Sequence, residues 1–202
     1  MAKTAAPEPA DVRILRIAME HIRRFGLRRT TVVGVAEEAG MSHANIYRHF
    51  PSKQALIEAV TVHWLKPVEA GLRDIADGPD PAYDKLERMI MALWRAYRDQ
   101  LESEPALFEL FAEATRQGRP LARRHRALVQ NYIQRAVEDG ISGDTLAAGE
   151  QRRIIMLIFD ALHRFIHPLA VAGDQETPRN QMDARLERLS RVVFAALRRG
   201  RL

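Results

Sequence analysis

Between Thr30 and Lys53 the chain reads TTVVGVAEEAGMSHANIYRHFPSK, and this stretch leaves few ways to fold. It predicts a short helix, a tight turn and a second short helix. Thr30 or Thr31 can cap the first, sending Val32, Val33, Val35 and Ala36 inward. Gly40 stands just past the last apolar residue, where a helix ends in a left-handed conformation that glycine adopts cheaply. Ser42 caps the second helix, Ile46 and Phe50 anchor it, and Pro51 stops it. Ser52 then caps a further helix beginning at Lys53.

The second helix offers Ser42, His43, Asn45, Tyr47, Arg48 and His49 as polar reach and contains no acid. A glycine-joined helix pair with a polar second helix is one way proteins place side chains in the major groove of DNA. Many helical hairpins with a glycine turn are only structural, so the flanking chemistry matters. Tyr47, His49 and Lys53 can all donate to phosphate.

GMSHANIYRHFPSK resembles the pattern G-(V/M)-S-x-x-x-(I/L)-Y-x-H-F-x-(S/N)-K of the TetR/AcrR transcriptional regulators. VVGVAEEAG resembles the helix that precedes it there, and the basic amphipathic helix over residues 11–25 resembles the family's first helix. The likeness covers the first quarter to third of the chain. The remainder resembles the family only in length and helical character. The resemblance implies a three-helix head in which residues 42–50 enter the major groove. On that footing the candidate DNA contacts are Thr31, Ser42, His43, Ala44, Asn45, Tyr47, His49 and Lys53. His43 can donate to guanine, Ala44 offers a methyl to thymine, and Asn45 can pair with adenine unless it lies off the contacting face. Tyr47, His49, Lys53 and Thr31 read better as phosphate clamps. Arg48 can equally face solvent, as can Arg28 and Arg29. Family members often carry Arg or Lys where His43 stands.

Charge placement agrees with this reading. The formal net charge is +5 and the pI about 9.9. The first 66 residues hold ten Lys/Arg against six acids, most of the surplus. Aromatic content is only 6%, while Ala, Leu and Arg abound, which favours helix over sheet. With no cysteine, disulfides, thiolate catalysis and Cys-bound zinc are excluded. Residues 1–11 carry Lys3 but no apolar run, so no secretory signal is expected. No stretch reads as the ~18 apolar residues of a membrane span. These observations together predict a cytoplasmic protein.

Periodicity predicts an all-α chain of about nine helices. Residues 1–10 form an Ala/Pro-rich leader, residues 11–66 a helix-turn-helix domain, and residues 67–202 a helical ligand-binding and dimerisation bundle. Asp11 is the expected cap of the first helix, with Ile14, Leu15, Ala18, Ile22 and Phe25 as its apolar stripe, ended by Gly26. Pro67 should bend or split a helix over residues 52–76, and DGPDP is a loop. Helices follow over residues 82–103, 105–116 and 121–138, then a DGISGD turn, then helices over 146–172 and 178–199.

The last two helices can pair through Ile155, Ile158, Leu162 and Phe165 on one, and Leu189, Val193, Ala196 and Leu197 on the other. In the resembled family the corresponding helices of two subunits form a four-helix interface, which implies a homodimer. The same residues could fill a monomer core. Met89, Leu93, Trp94, Tyr97, Phe108, Phe111, Tyr132, Met156, Phe159 and His163 are candidates for lining a cavity for a small, mostly apolar effector. Aromatic and Met stripes at this spacing equally describe plain core. Arg116, Arg119, Arg123, Arg124 and Arg126 flank the route, as a solvated face or as an attraction for an anionic group. Asp160, His163 and His167 share one helix face without a second carboxylate motif, so no metal or cofactor is expected. No phosphate loop, nucleophile elbow or catalytic triad spacing is present. The expected function is a dimeric repressor, released from a palindromic DNA operator by a small ligand. Its rivals are a regulator without inducer, and a helical-bundle enzyme or ligand carrier whose helix-turn-helix is only structural.

Overall fold

Thr31 Oγ1 accepts the Gly34 N–H at 3.0 Å and Ser42 Oγ accepts the Asn45 N–H at 3.2 Å, so the two caps of the hairpin are made by side chains. The computed structural model describes residues 8–143 and 151–198, and among these every regular element is an α-helix. In the first unit, α1 is Ala10–Arg29, α2 Val32–Ala39 and α3 His43–His49, followed by the start of α4, Lys53–Ala76. The first unit takes the described residues through Trp64 together with Ala106–Leu110; the second takes Leu65–Pro105 and the described residues from Phe111 onward.

The turn between α2 and α3 is built as the sequence demands. Gly40 sits at φ 62°, ψ 35°, and Gly40 N and Met41 N donate to Glu37 O and Ala36 O at 3.1 and 2.9 Å. These two bonds satisfy carbonyls that the helix end would otherwise leave bare. A Cβ added at Gly40 would have no heavy atom within 4 Å. Gly40→Ala is therefore expected to cost only the left-handed backbone penalty, about 1–2 kcal/mol, read as a shift in the urea midpoint of the first unit. Gly34 plays a different part: a Cβ there would lie 3.0 Å from the His21 ring, so its bareness lets the first turn of α2 approach α1. Ile14, Ala18, Ile22, Val35, Ala36 and Ile46, all fully buried, form the core of the three helices.

Several expectations fail here for identifiable reasons. Pro9, not Asp11, is the N-cap of α1, and no side chain caps it; Asp11 lies in the first turn as an acid near the positive helix end. Gly26, at φ 74°, does interrupt α1, but one more turn follows it. Phe25 and Val33 are exposed, at 47% and 45%; Phe25 instead stacks with His21 and under Arg24. The helix over Pro67 is not split: α4 is continuous from Lys53 to Ala76.

The second unit contains the rest of α4, α5 (Ala82–Ser103), most of α6 (Pro105–Arg116), α7 (Pro120–Ser142), α8 (Gln151–Ile166), α9 (Pro168–Gly173) and α10 (Arg179–Arg198). Helix α5 is its centre, packing on α7, α8, α9 and α10. Its fully buried Trp94 meets Phe165 of α8 edge-on at 5.4 Å and donates from Nε1 to Asp183 of α10 at 2.7 Å. Arg98, 3% exposed, pairs with Glu102 and donates to the carbonyls of Asp174 and Thr177, tying down the link from α9 to α10.

Helix α7 continues through the predicted DGISGD turn as far as Ser142. Ile133, Ala136, Val137 and Gly140 are all buried on one stripe, and that packing outweighs the roughly 1 kcal/mol cost of a helical glycine. The helix expected over residues 146–172 breaks at His167, which is extended at φ −102°, ψ 124° because Pro168 follows it. The start of that expected helix lies outside the described residues. Contrary to the sequence reading, Gln151–Gly173 is long and apolar enough to cross a membrane by length and composition, with an 18-residue stretch of mean hydropathy 1.6. Its Ile154, Ile158, Leu162, Phe165 and Val171 are buried within the second unit.

Candidate nucleic-acid interface and effector cavity

Helix α3 is held by one residue and offers most of the others. Ile46 is fully buried, whereas Ser42, His43, Ala44, Tyr47, Arg48 and His49 are exposed and Asn45 is half-buried. Thr31 and Lys53 are exposed as well. Tyr47 is 50% exposed, which is unusual for a large ring with no folding role to fill. Two candidates are partly engaged. Arg48 donates to Asn45 Oδ1 at 2.8 Å, so the amide must exchange that bond before it can pair with adenine through both groups. Lys53 Nζ donates to Leu27 O at 3.3 Å, which brings this ammonium beside Arg28 and Arg29, both exposed. Residues 41–53 hold no carboxylate.

Of the two acids of α2, Glu38 is engaged by side chains of α1. Arg24 bonds Glu38, and His21 Nε2 reaches its other oxygen at 2.8 Å. The Arg24 hydrogen bond, with His21 assisting, holds the Glu38 carboxyl below its ordinary range. The sequence signal for this pairing was weak, since His21 and Glu38 are distant along the chain.

The second unit encloses a cavity of about 280 Å³ between α5, α6, α7, α8 and the start of α9. Tyr97, Phe111, Val129, Phe159 and Ile166 supply its apolar wall; Arg123, His125, Arg126, Asp160, His163 and His167 supply its polar groups. Of the ten residues predicted to line a cavity, Tyr97, Phe111, Phe159 and His163 do so. Met89, Leu93 and Trp94 are buried core of the bundle and do not line the cavity. Phe108 belongs to the first unit, edge-on to Trp64 at 6.2 Å. Tyr132 is half-buried elsewhere on α7, and Met156 points outward at 53% exposure.

One wall is a buried chain of polar groups that sequence reading missed. Glu69 of α4 reaches His125 Nδ1 at 2.9 Å, and His125 Nε2 meets the Tyr97 hydroxyl at 2.8 Å. Glu69 only accepts, so Nδ1 carries a proton; in the neutral ring Nε2 then accepts from Tyr97. Burial, and then the charge of Glu69, push the Tyr97 phenol far above its ordinary pKa, so it stays protonated. At the other end His163 and His167 stack, with centroids 4.5 Å apart and planes 19° from parallel. Burial first, then His163 and Arg126, hold the His167 imidazole below its ordinary value. Among the described residues no group of three His, Cys, Asp or Glu side chains converges as a metal would require.

Residues 82–193 match the family described as "Tetracyclin repressor-like, C-terminal domain", and residues 14–60 match "Bacterial regulatory proteins, tetR family". The chain belongs to the TetR family. The transcriptional repressor KstR2 of Mycobacterium tuberculosis is 31% identical over 83 residues, a match spanning 41% of this chain and 42% of that protein. KstR2 of Mycolicibacterium smegmatis is 26% identical over 168 residues, 82% of this chain and 79% of that protein. In fold, the chain is similar to Thermus thermophilus FadR in complex with lauroyl-CoA, at a TM-score of 0.62 and 19% identity over 95% of each chain.

Read as a TetR chain, the last helices need correction in detail. Ile158, Leu162 and Phe165 of α8, with Val193 and Leu197 of α10, are buried within the single chain, because these helices pack on each other and on α5. Ile155, Leu189 and Ala196 are only partly covered. The apolar residues left outside are Met156 and Val192, the latter 66% exposed.

Proposed function

We propose that this TetR-family chain is a cytoplasmic, sequence-specific DNA-binding regulator and not a catalyst: a dimeric repressor released from a palindromic operator by a small ligand. The observation that carries this is α3, a seven-residue helix anchored by a single buried side chain, otherwise mainly polar, largely exposed and free of acids. Residues 42–50 together with Thr31 and Lys53 form the proposed contact surface, Ser42, His43, Ala44 and Asn45 toward base edges and Tyr47, His49 and Lys53 toward phosphate. One such head covers too little DNA for tight specific binding, and two related by a twofold reach it. Met156 and Val192, flanked by Ile155, Leu189 and Ala196, supply an uncovered apolar strip for that pairing.

The cavity between α5, α6, α7, α8 and α9 is the proposed effector site. Thermus thermophilus FadR, which shares the fold, was crystallised with a small ligand, lauroyl-CoA. Helix α4 supports a route for the signal, because the helix that carries Glu69 begins at Lys53, next to the contact surface. A ligand acts as a switch only to the extent that it prefers the arrangement that cannot dock, by a few kcal/mol.

Selection of bound fragments from random duplexes tests the proposal, with a palindrome as the expected product. Tyr47→Ala should then weaken retention of every duplex by about ten-fold with the salt slope unchanged, because the phenol contacts phosphate without a charge that displaces a counterion. His43→Ala should change base preference at one position of each half-site by about 1–3 kcal/mol. Retention of all duplexes unchanged in both variants would remove α3 from the interface.

A further inference from the structure

The charge at the mouth of the cavity is lopsided. Several surface arginines of the second unit are answered by acids: Arg164 by Asp174, Arg135 by Asp77, Arg179 by Asp99 and Glu102, Arg124 by Glu69. Arg123 donates to the Gly118 carbonyl. Among the described residues Arg126 has no carboxylate within 4.0 Å, although Asp160 stands on the same cavity. The stacked pair His163 and His167 shares the lining with Arg126; burial first, and then the charges of His163 and Arg126, lower the His167 pKa. Phe111, Phe159 and Tyr97 supply aromatic lining of the same cavity.

We propose that this cavity takes a small organic acid, its carboxylate held by Arg126 with His163 and His167 and its apolar body laid against Phe111, Phe159 and Tyr97. The proposal rests on reading the cavity as the effector site and names what that effector must carry. An arginine and two imidazoles answer one anionic group well, by charge-assisted hydrogen bonds about twice as strong as neutral ones. A volume of about 280 Å³ lies at the low end of small-molecule sites. It suits a short chain or a single ring, and a coenzyme thioester would leave most of itself outside. Asp160 works against the acid by like charge and so sets the limit on its affinity.

The test uses the full chain with octanoate and phenylacetate, their primary amides, and octanoyl-CoA, by calorimetric titration and thermal shift. Both acids should bind and raise the melting midpoint, and the amides, equal in size and uncharged, should not. Arg126→Gln should weaken octanoate by about ten-fold or more, while Asp160→Asn should strengthen it. Opposite signs from two neighbouring substitutions are not what a loss of folding produces. Amides binding as tightly as acids, octanoyl-CoA binding where octanoate does not, binding by neither acid, or the same sign in both variants would each overturn the proposal. DNA retention separates it from the regulator reading. Acid binding by a chain that selects no DNA would leave this proposal standing and that reading fallen; release of DNA by a neutral compound alone would do the reverse.

Discussion

Trp94→Ala should lower the stability of the second unit by about 3–5 kcal/mol, the range for emptying a fully buried tryptophan site. The size follows from position. Trp94 lies at the middle of α5, is 0% exposed, and holds two partners at once, the Phe165 ring of α8 and the Asp183 carboxylate of α10. Alanine leaves a void between three helices that cannot all close on it. For a chain of this length the expected fall in melting midpoint is about 6–20 °C, measured by circular dichroism or calorimetry. Trp94→Phe keeps a ring beside Phe165 and loses only the indole donor, so it should cost less than half as much. An alanine variant that melts within about 2 °C of the parent would mean that α5 is not the axis of the bundle.

His125→Leu is the second large effect, at about 3 kcal/mol, the lower end of the range for leaving a buried carboxylate without its partner. Leucine fills the space of the imidazole but strands Glu69, whose side chain is only 14% exposed, against an apolar neighbour. Arg124, 3.8 Å from the other Glu69 oxygen, offsets part of the loss, which is why the lower end is expected. Tyr97→Phe added to His125→Leu should cost less than the two separate losses combined, because the phenol has already lost its partner. Additive costs in urea unfolding would show that the three groups do not act as one chain.

Much of the first unit could be read from its residues because its determinants are local. Thr31, Gly40, Ser42 and Pro51 act over three or four positions, and each does in the structure what its chemistry implies. Phe25 and Val33 were misread because an apolar residue at helical spacing does not reveal whether a neighbour covers it. In the second unit the question is long-range. Helix α8 is apolar on more than one side, so the sequence did not distinguish Ile158, Leu162 and Phe165 in the core from Met156 outside. Tyr97, Phe111, Phe159 and His163 were legible as cavity candidates from residue type alone. Arg126 was legible only as one of five arginines flanking the route, and Glu69 and His125 were not, because α4 and α7 bring those two together from 56 positions apart. Pro168 was visible throughout, and its effect on His167 was missed by reading the segment as a single apolar run.

The Glu69–His125–Tyr97 arrangement has a directional outcome. Each proton in it is pledged toward Glu69: the imidazole N–H to the carboxylate, the phenolic hydrogen to the imidazole. With the imidazole neutral, the Tyr97 oxygen is then left with lone pairs and without a hydrogen to offer. A ketone or ester oxygen laid against it meets only repulsion, while an alcohol, phenol or N–H finds a ready acceptor. A guest that reaches this oxygen is thereby sorted from others of equal bulk and greasiness by which way its hydrogens point.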